Sequence, residues 1–148
     1  SDFTVGLNEF ADMSSEEFAD SMLCGSQAAT GGLDIQESYN TYSAEPILTQ
    51  LPESVDWEAA GAMGPVRTQG KCGCCYAIQA ATMVESRFKI KAGMDRVVPL
   101  SVQQLIDCSK GFGNNGCKGG TVVECSIYIH TAGLVKEKAY PYIDKAGT

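Results

Sequence analysis

Three cysteines stand within four positions of the chain, at Cys72, Cys74 and Cys75, and an amide side chain precedes them at Gln69. The residues that follow are predicted to form a helix, and a cysteine at a helix N-terminus ionises more readily because that end carries partial positive charge. A thiolate is a nucleophile, and the N–H groups of the same turn, together with the Gln69 amide, are suited to bind a developing oxyanion. The pattern predicts acyl transfer by a thiol; the common alternative is a cysteine that only packs in a core.

Three helices are predicted around this segment. Apolar residues after the cysteine cluster recur at spacings of three and four, which predicts a helix over 75–92 that Gly93 ends. Glu85 is expected on the inner side of this helix. A capping box predicts a second helix over 101–108, and a third is expected over 122–131. The expected buried face of the first helix consists of Ile78, Ala81, Val84 and Phe88.

The net charge of the chain differs sharply between the residues before and after position 50. Residues 1–50 contain nine acidic and no basic side chains, for a net charge of −9, whereas residues 51–148 contain nine acidic and eleven basic side chains, for +2. This asymmetry indicates two functionally different parts. The first part is predicted to hold a short helix within 1–23, with acidic residues in its first turn, and then a linker over 24–50 that lacks apolar periodicity.

The rest of the composition argues against several classes of function. No basic patch with interleaved aromatics is present, so nucleic acid is not an expected partner. No apolar run approaches the roughly 18 residues that cross a bilayer, and no signal peptide opens the chain, so no membrane is expected as a partner. Seven cysteines favour an oxidising or vesicular compartment, and their odd number implies at least one unpaired thiol. Their spacing lacks the paired ligand sets of a metal cluster, and no cofactor is expected.

Taken in order, these motifs resemble those of the papain/cathepsin family of cysteine proteases. The segment 72–76 fits the family signature C-G-[SA]-C-[WY] at every position except Cys74. Five further segments are similar to family motifs. They are 6–12, similar to the G-x-N-x-F-x-D of the inhibitory propeptide; 51–57, similar to the mature N-terminus; 100–108, similar to the second helix; 116–120, similar to the C-N-G-G turn; and 140–142, similar to the Y-P-Y that follows.

The resemblance implies an α+β fold of two lobes with the active-site cleft between them. Residues 1–50 would be the C-terminal part of the inhibitory propeptide and residues 51–148 the mainly helical lobe, so that the β lobe is absent from this chain. The implied function is a cysteine peptidase zymogen, located in a lysosome or vacuole or secreted. Its expected partners are a peptide or protein substrate and its own propeptide, which acidification is expected to loosen before cleavage near Gln50-Leu51.

The resemblance also implies the catalytic roles. Cys75 would attack the peptide bond and form a thioester, while its backbone N–H and the Gln69 amide would form the oxyanion hole. Cys72 would pair with Cys117, which staples the nucleophile's loop to the glycine turn. Cys108 would pair with a cysteine that follows the end of this chain.

Substrate contacts are implied at the glycine turn and beside it. Gly119 and Gly120 would offer backbone to an extended substrate, since glycine allows close approach. Val122 would form one wall of the apolar pocket for the P2 side chain. Two departures from the family pattern stand beside the nucleophile: Cys74, which is expected to be inert, and Tyr76, which is expected to keep an aromatic wall where Trp is usual.

A protease of this kind also needs a histidine to accept the thiol proton and an asparagine to orient it. These partners lie roughly 130–150 residues after the nucleophile, which is beyond Thr148. The single histidine, His130, is expected to be structural. A second chain that carries the β lobe, or truncation of this one, would explain the absence.

Two interpretations remain open: a catalytically inactive homologue that binds or supports other molecules, and a C-x-x-C redox site at 72–75 that lacks its flanking strand.

Overall fold

The computed structural model describes residues 4–22 and 52–147 of the chain. These residues form a mainly helical structure in which strand pairing is limited to two isolated bridges, Gly73 with Lys118 and Leu100 with Lys136. The predicted linker and the predicted cleavage site lie outside the described residues. The helices are α1 (Ser15–Met22), α2 (Cys75–Ala92), α3 (Val102–Cys108), a 3-10 turn (Ser109–Phe112) and α4 (Val122–Ala132).

Helix α1 begins at a reciprocal capping box. The Ser14 hydroxyl accepts a hydrogen bond from the Glu17 N–H at 3.2 Å, and the Ser14 N–H donates to the Glu17 carboxylate at 2.8 Å. Both contacts satisfy N–H groups that have no partner within the helix. The Phe10 and Phe18 rings meet edge to face at a centroid distance of 5.6 Å, which fixes the path of the chain into the helix.

Helix α2 is the central element, and it ends at Gly93 as predicted. Gly93 adopts a left-handed conformation, and its N–H donates to the carbonyl of Lys89. The predicted buried face is partly wrong, because Phe88 is 56% exposed whereas Ala81 is fully buried. Small side chains at Ala77, Ala80 and Ala81 let α3 and α4 approach closely, so the core lies on the alanine side of the helix.

Helices α3 and α4 follow their predicted positions closely. The Ser101 hydroxyl accepts from the Gln104 N–H at 3.0 Å, and Leu105 and Ile106 are both 0% exposed, as the capping box and apolar pattern predict. The Thr121 side chain caps α4, which runs one residue longer than predicted. The buried core joins α2, α3 and α4. Its members are Cys72, Cys74, Tyr76, Ala77, Ala80, Ala81, Val102, Leu105, Ile106, Cys125 and Tyr128.

The segment after α4 folds back across α3. Both ends of the buried Gln103 side chain bind it: its oxygen accepts from the Ile143 N–H at 3.1 Å, and its nitrogen donates to the Lys145 carbonyl at 2.8 Å. Asp107 accepts from the Tyr140 hydroxyl at 2.8 Å and from the Gly147 N–H at 2.5 Å. These contacts fasten the returning segment to α3. Within 4–22 and 52–147, no helix combines the length and apolar character needed to cross a bilayer.

Candidate active site

Cys75 is the first residue of α2, and it is exposed. The preceding residue, Cys74, occupies the N-cap position without a side-chain capping bond, and the first turn contains no acidic residue. The partial positive charge of an 18-residue helix is therefore not offset at its start. The Cys75 sulfur is not a thiol in this structure, because the residue is disulfide-bonded.

The Gln69 amide, the predicted oxyanion donor, is turned toward the end of α1. Its Nε2 donates a hydrogen bond to the carbonyl oxygen of Met22, the last residue of that helix, at 2.9 Å. The loop itself is held by two other contacts: the Tyr142 hydroxyl donates to the Gln69 carbonyl at 2.6 Å, and the Lys71 N–H donates to Asp144 Oδ1 at 2.8 Å. A donor predicted to bind a substrate oxygen thus binds a backbone carbonyl of the first part of the chain.

A disulfide joins Cys72 to Cys117, which are 45 positions apart in the chain, with a Cα–Cα distance of 4.6 Å. Beside it the Gly73 N–H donates to the Cys117 carbonyl oxygen at 3.0 Å. A Cβ at Gly73 would lie 2.7 Å from that oxygen, so only glycine fits without displacement. The covalent bond and the hydrogen bond together fasten the loop before α2 to the glycine turn.

The glycine turn depends on Asn114, whose role the sequence did not reveal. Its Oδ1 accepts from the Thr121 N–H at 2.8 Å, and its Nδ2 donates to the Ser109 hydroxyl at 2.9 Å. Gly119 is buried with φ of 109°, and a Cβ at Gly120 would overlap the Asn114 side chain. An asparagine inside a glycine-rich loop is the signal that could have indicated this role, because Asn side chains hydrogen-bond nearby backbone.

Val122, the predicted wall of the P2 pocket, starts α4 and is half-buried. It lines an apolar cavity of about 600 Å³ between α2 and α4, together with Ala80, Met83 and Phe88. Phe88, which the sequence pattern predicts to be buried in the core, therefore faces this cavity. An apolar side chain of a ligand would find hydrophobic surface there.

The two departures from the family signature both lie in the core. Cys74 is 0% exposed, its sulfur lies 3.3 Å from the Tyr142 hydroxyl, and burial raises the pKa of its thiol, which keeps it protonated. Tyr76 is 3% exposed and donates to the Gly116 carbonyl at 2.9 Å, while burial raises the pKa of its phenol. The Tyr76 ring therefore lies against Gly120 from within the core, where a Cβ at Gly120 would come within 2.9 Å of it.

A buried ion pair ties α2 to the loop of Gln69. Glu85 is 3% exposed, and its Oε1 accepts from Arg67 Nη2 at 2.8 Å and from the Leu100 N–H at 2.6 Å. The sequence predicted the inward position of Glu85 but not its partner Arg67, which precedes Gln69 by two residues. This pair links the loop of Gln69, the middle of α2 and the entry to α3.

The remaining predicted residues lie apart from this constellation. His130 is exposed on α4, and Cys108 is an exposed free thiol. In the described part of the chain no group of three or more His, Cys, Asp or Glu side chains is arranged to hold a metal ion.

A second cavity, of about 470 Å³, separates the first part of the chain from the Gln69 loop, with Phe10 and Met22 on one side and Asp144 on the other.

Comparison with known proteins gives a consistent result. The family model for papain family cysteine proteases matches residues 51–148. The chain is 41% identical over 145 residues to a cathepsin L-like proteinase of Phaedon cochleariae, covering 98% of this chain and 42% of that protein. It is 37% identical over 147 residues to procathepsin L of Rattus norvegicus, covering 99% and 41%. The crystal structure of the ragweed pollen protease Amb a 11 in its proform is similar, with a TM-score of 0.73 at 32% identity, covering 96% of this chain and 43% of that one. The chain thus spans about two fifths of the length of these relatives.

Proposed function

This chain belongs to the papain family of cysteine proteases and has its α+β fold, and we propose that it is part of a peptidase zymogen, with the C-terminal part of the propeptide over 1–50 and the helical lobe over 51–148. The observation that carries the proposal is the 2.9 Å hydrogen bond from Gln69 Nε2 to the Met22 carbonyl. The donor suited to a substrate oxygen is occupied by a carbonyl from the acidic first part of the chain. While this contact is in place, the Gln69 amide cannot bind a substrate oxygen, and the proposed site is inhibited.

The proposed reaction begins when the Cys75 sulfur, as a thiolate, attacks the scissile carbonyl carbon. The tetrahedral oxyanion is stabilised by Gln69 Nε2 and the Cys75 N–H, and one such donor contributes about 3–4 kcal/mol to the transition state. The amine leaves with a proton, a thioester remains on Cys75, and water hydrolyses it. The histidine and asparagine would come from a β lobe that follows in a longer polypeptide or belongs to a second chain. That lobe would complete the endopeptidase site.

Substrate recognition is proposed at the surface next to this loop. Gly119 and Gly120 are proposed to present main chain to an extended peptide: Gly120 is half-buried, without a side chain, and held in place by Asn114, whereas the buried Gly119 shapes the turn, its carbonyl accepting from the Asn115 N–H at 2.9 Å. Val122 and the cavity beside it favour an apolar P2 side chain. The Cys72–Cys117 disulfide supports the proposal, since it fixes the distance between nucleophile loop and glycine turn.

The proposal is tested by Gln69→Ala in the full-length proenzyme and in the activated enzyme. Loss of an oxyanion donor should lower kcat about 100- to 1,000-fold. Inhibition by the separated propeptide should weaken by only about 2- to 10-fold, since one neutral hydrogen bond is worth about 0.5–1.5 kcal/mol. Gln79→Ala, an exposed glutamine on α2, is the matched control. Equal losses in the two measurements would contradict the double role of Gln69.

The nucleophile is tested by covalent labelling of the reduced full-length enzyme with an epoxide thiol inhibitor. Cys75→Ala should abolish labelling, whereas Cys74→Ala should preserve it because Cys74 is buried and protonated. Loss of labelling in Cys74→Ala alone would reassign the nucleophile. Absence of labelling in the wild-type enzyme would favour the inactive, ligand-binding homologue instead.

We further propose that acidification releases the propeptide in a lysosome or vacuole or after secretion. Nine carboxylates in 1–50 attract a part of net charge +2 at neutral pH, and this attraction disappears as the carboxylates are protonated near pH ~4. Salt should weaken it as well. Equal affinities of the propeptide for the enzyme at pH 7 and pH 4 would exclude this electrostatic control.

A further inference from the structure

The segment that returns across α3 contacts the Gln69 loop at both ends of that loop. The Tyr142 hydroxyl donates to the Gln69 carbonyl oxygen at 2.6 Å, and the Asp144 carboxylate accepts from the Lys71 N–H at 2.8 Å. We propose that Tyr142 and Asp144 are positioning residues, which hold the backbone of Gln69 so that its side-chain amide meets the oxyanion. The inference rests on the proposed function of Gln69, because both residues act through it.

The Tyr142 hydroxyl has one proton, and the distances indicate which neighbour receives it. The Gln69 carbonyl oxygen, at 2.6 Å, is nearer than Cys74 Sγ at 3.3 Å or Asp144 Oδ1 at 3.4 Å. The buried Cys74 thiol then donates to the phenol oxygen in turn. Burial raises the pKa of both the thiol and the phenol, so both keep the proton that this arrangement requires. The hydroxyl is therefore oriented toward the Gln69 carbonyl.

The backbone of Asp144 is bent in a way that serves its contact with the loop. With φ of 57°, Asp144 is the only residue other than glycine, among those that the structure describes, to have a positive φ. This left-handed conformation is unfavourable for most residues, although Asp tolerates it better than most. It sets the carboxylate against Gly70, where a Cβ would overlap it. Strain of this kind persists where the surrounding structure or the function requires it.

The two positioning residues are themselves anchored to α3 and to the turn that precedes them. The Tyr142 N–H donates to Glu137 Oε1 at 2.8 Å, and the Ile143 N–H donates to Oε1 of the fully buried Gln103 at 3.1 Å. A helix of the core thereby sets the position of the Gln69 backbone. Such precision matters for catalysis, because a misplacement of about 1 Å can lower a rate about 100-fold.

The first test compares kcat and KM of the activated full-length enzyme in two tyrosine variants. Tyr142→Phe should lower kcat about 10-fold with little change in KM, which is a fraction of the loss of about 100- to 1,000-fold expected when an oxyanion donor is removed. Tyr140→Phe is the matched control, because its hydroxyl bonds Asp107 instead, and it should keep the wild-type kcat. An unchanged kcat in Tyr142→Phe would overturn the inference, as would equal losses in both variants.

The second test asks whether Tyr142 acts through Gln69. In a Gln69→Ala background the donor is absent, so adding Tyr142→Phe should change kcat by less than about twofold. A further loss of about 10-fold in that background would show that Tyr142 acts elsewhere, and would overturn the inference.

The two ends of the Asp144 contact can be separated by substitution. Asp144→Gly suits the left-handed conformation but lacks the acceptor for the Lys71 N–H, so it should lower kcat. Asp144→Asn keeps a side-chain oxygen that can accept, and its kcat should stay within about twofold of the wild type. The reverse order, with Asp144→Gly active and Asp144→Asn impaired, would overturn the inference.

The last test needs no peptidase activity, since it follows the side-chain amide of Gln69 in nitrogen–proton NMR spectra of the full-length proenzyme. These signals are identified by their loss in Gln69→Ala, and the bond to the Met22 carbonyl should displace them from the signals of the exposed Gln79. Tyr142→Phe should shift them toward the Gln79 signals, and Tyr140→Phe should not. Unchanged signals in Tyr142→Phe would overturn the inference. A wild type without turnover whose Gln69 signals still depend on Tyr142 would refute the proposed function and leave the positioning role standing.

Discussion

Removing the carboxylate of Glu85 should destabilise the protein more than any other single change at a charged residue described above. One oxygen of Glu85 accepts hydrogen bonds from Arg67 Nη2 at 2.8 Å and from the Leu100 N–H at 2.6 Å. The Glu85 side chain is 2% exposed and that of Arg67 is 18% exposed. Glu85→Ala would therefore leave a guanidinium with little access to water and a backbone N–H without its acceptor.

The expected size of the effect follows from these contacts. Breaking a buried ion pair by deleting one partner lowers the free energy of unfolding by about 3–5 kcal/mol. Because the Arg67 side chain as a whole is 18% exposed, the lower end of this range, a loss of about 3 kcal/mol, is expected for Glu85→Ala. Glu85→Gln retains a carbonyl oxygen that can accept both hydrogen bonds, so it loses only the charge assistance, about 1–2 kcal/mol.

The assay is urea unfolding of the unreduced chain, followed by circular dichroism of the helices. Glu58→Gln, an exposed glutamate, is the control and should change the free energy of unfolding by less than about 0.5 kcal/mol. The order of stability should be wild type, Glu85→Gln, Glu85→Ala. A Glu85→Ala variant within about 1 kcal/mol of the wild type would refute the argument, because the pair would then contribute no more than a surface contact.

Three further perturbations test other contacts. Gly73→Ala should lower the free energy of unfolding, measured in urea, by about 1–3 kcal/mol, because the new Cβ would lie 2.7 Å from a backbone carbonyl oxygen. The control Gly111→Ala places its Cβ in open space and should have little effect. Hydrogen bonds from Ser14 lower the pKa of Glu17, so the ionised carboxylate stabilises the start of α1 above the ordinary pKa of about 4.5, and this stabilisation is lost as pH falls. Glu17→Gln should therefore flatten the pH dependence of the proteolysis of α1. An unchanged pH profile would contradict this role of Glu17. Burial opposes the ionisation of Asp107, but hydrogen bonds from Gln103, the Gly147 N–H and the Tyr140 hydroxyl outweigh it and lower the Asp107 pKa. Asp107→Asn should therefore destabilise the protein at pH 7 and make little difference at a pH low enough to protonate the wild-type carboxyl. Thermal unfolding of both proteins at pH 7 and at that low pH measures the difference.

Local patterns predicted the features of this protein that depend on neighbours in sequence. The serine and glutamine of the second capping box are three residues apart in the chain and meet as expected. Gly93 ends α2 because only a residue that tolerates a left-handed conformation suits that position. The family resemblance added the fold class, which the structural comparison confirms. Helix positions therefore needed little information beyond the sequence.

Features that depend on distant segments were beyond the sequence pattern. The side of α2 that is buried depends on where α3 and α4 pack. The spacing of Phe88 alone predicts a buried position, yet Phe88 is 56% exposed. The contact of Gln69 with Met22 joins residues 47 positions apart, and nothing in the local sequence of Gln69 specifies that partner. Neither did the spacing of cysteines indicate that Cys75 would be disulfide-bonded.

The hydrogen bond from Tyr142 to the Gln69 carbonyl has a consequence for how the protein is made. The two residues are 73 positions apart, and ribosomes add about 5–20 residues per second, so Gln69 precedes Tyr142 by about 4–15 s during translation. Met22, by contrast, is synthesised before either of them. Met22, whose carbonyl accepts from the Gln69 amide, therefore exists before the loop that presents this amide has been completed, so the contact between them can form as soon as that loop folds.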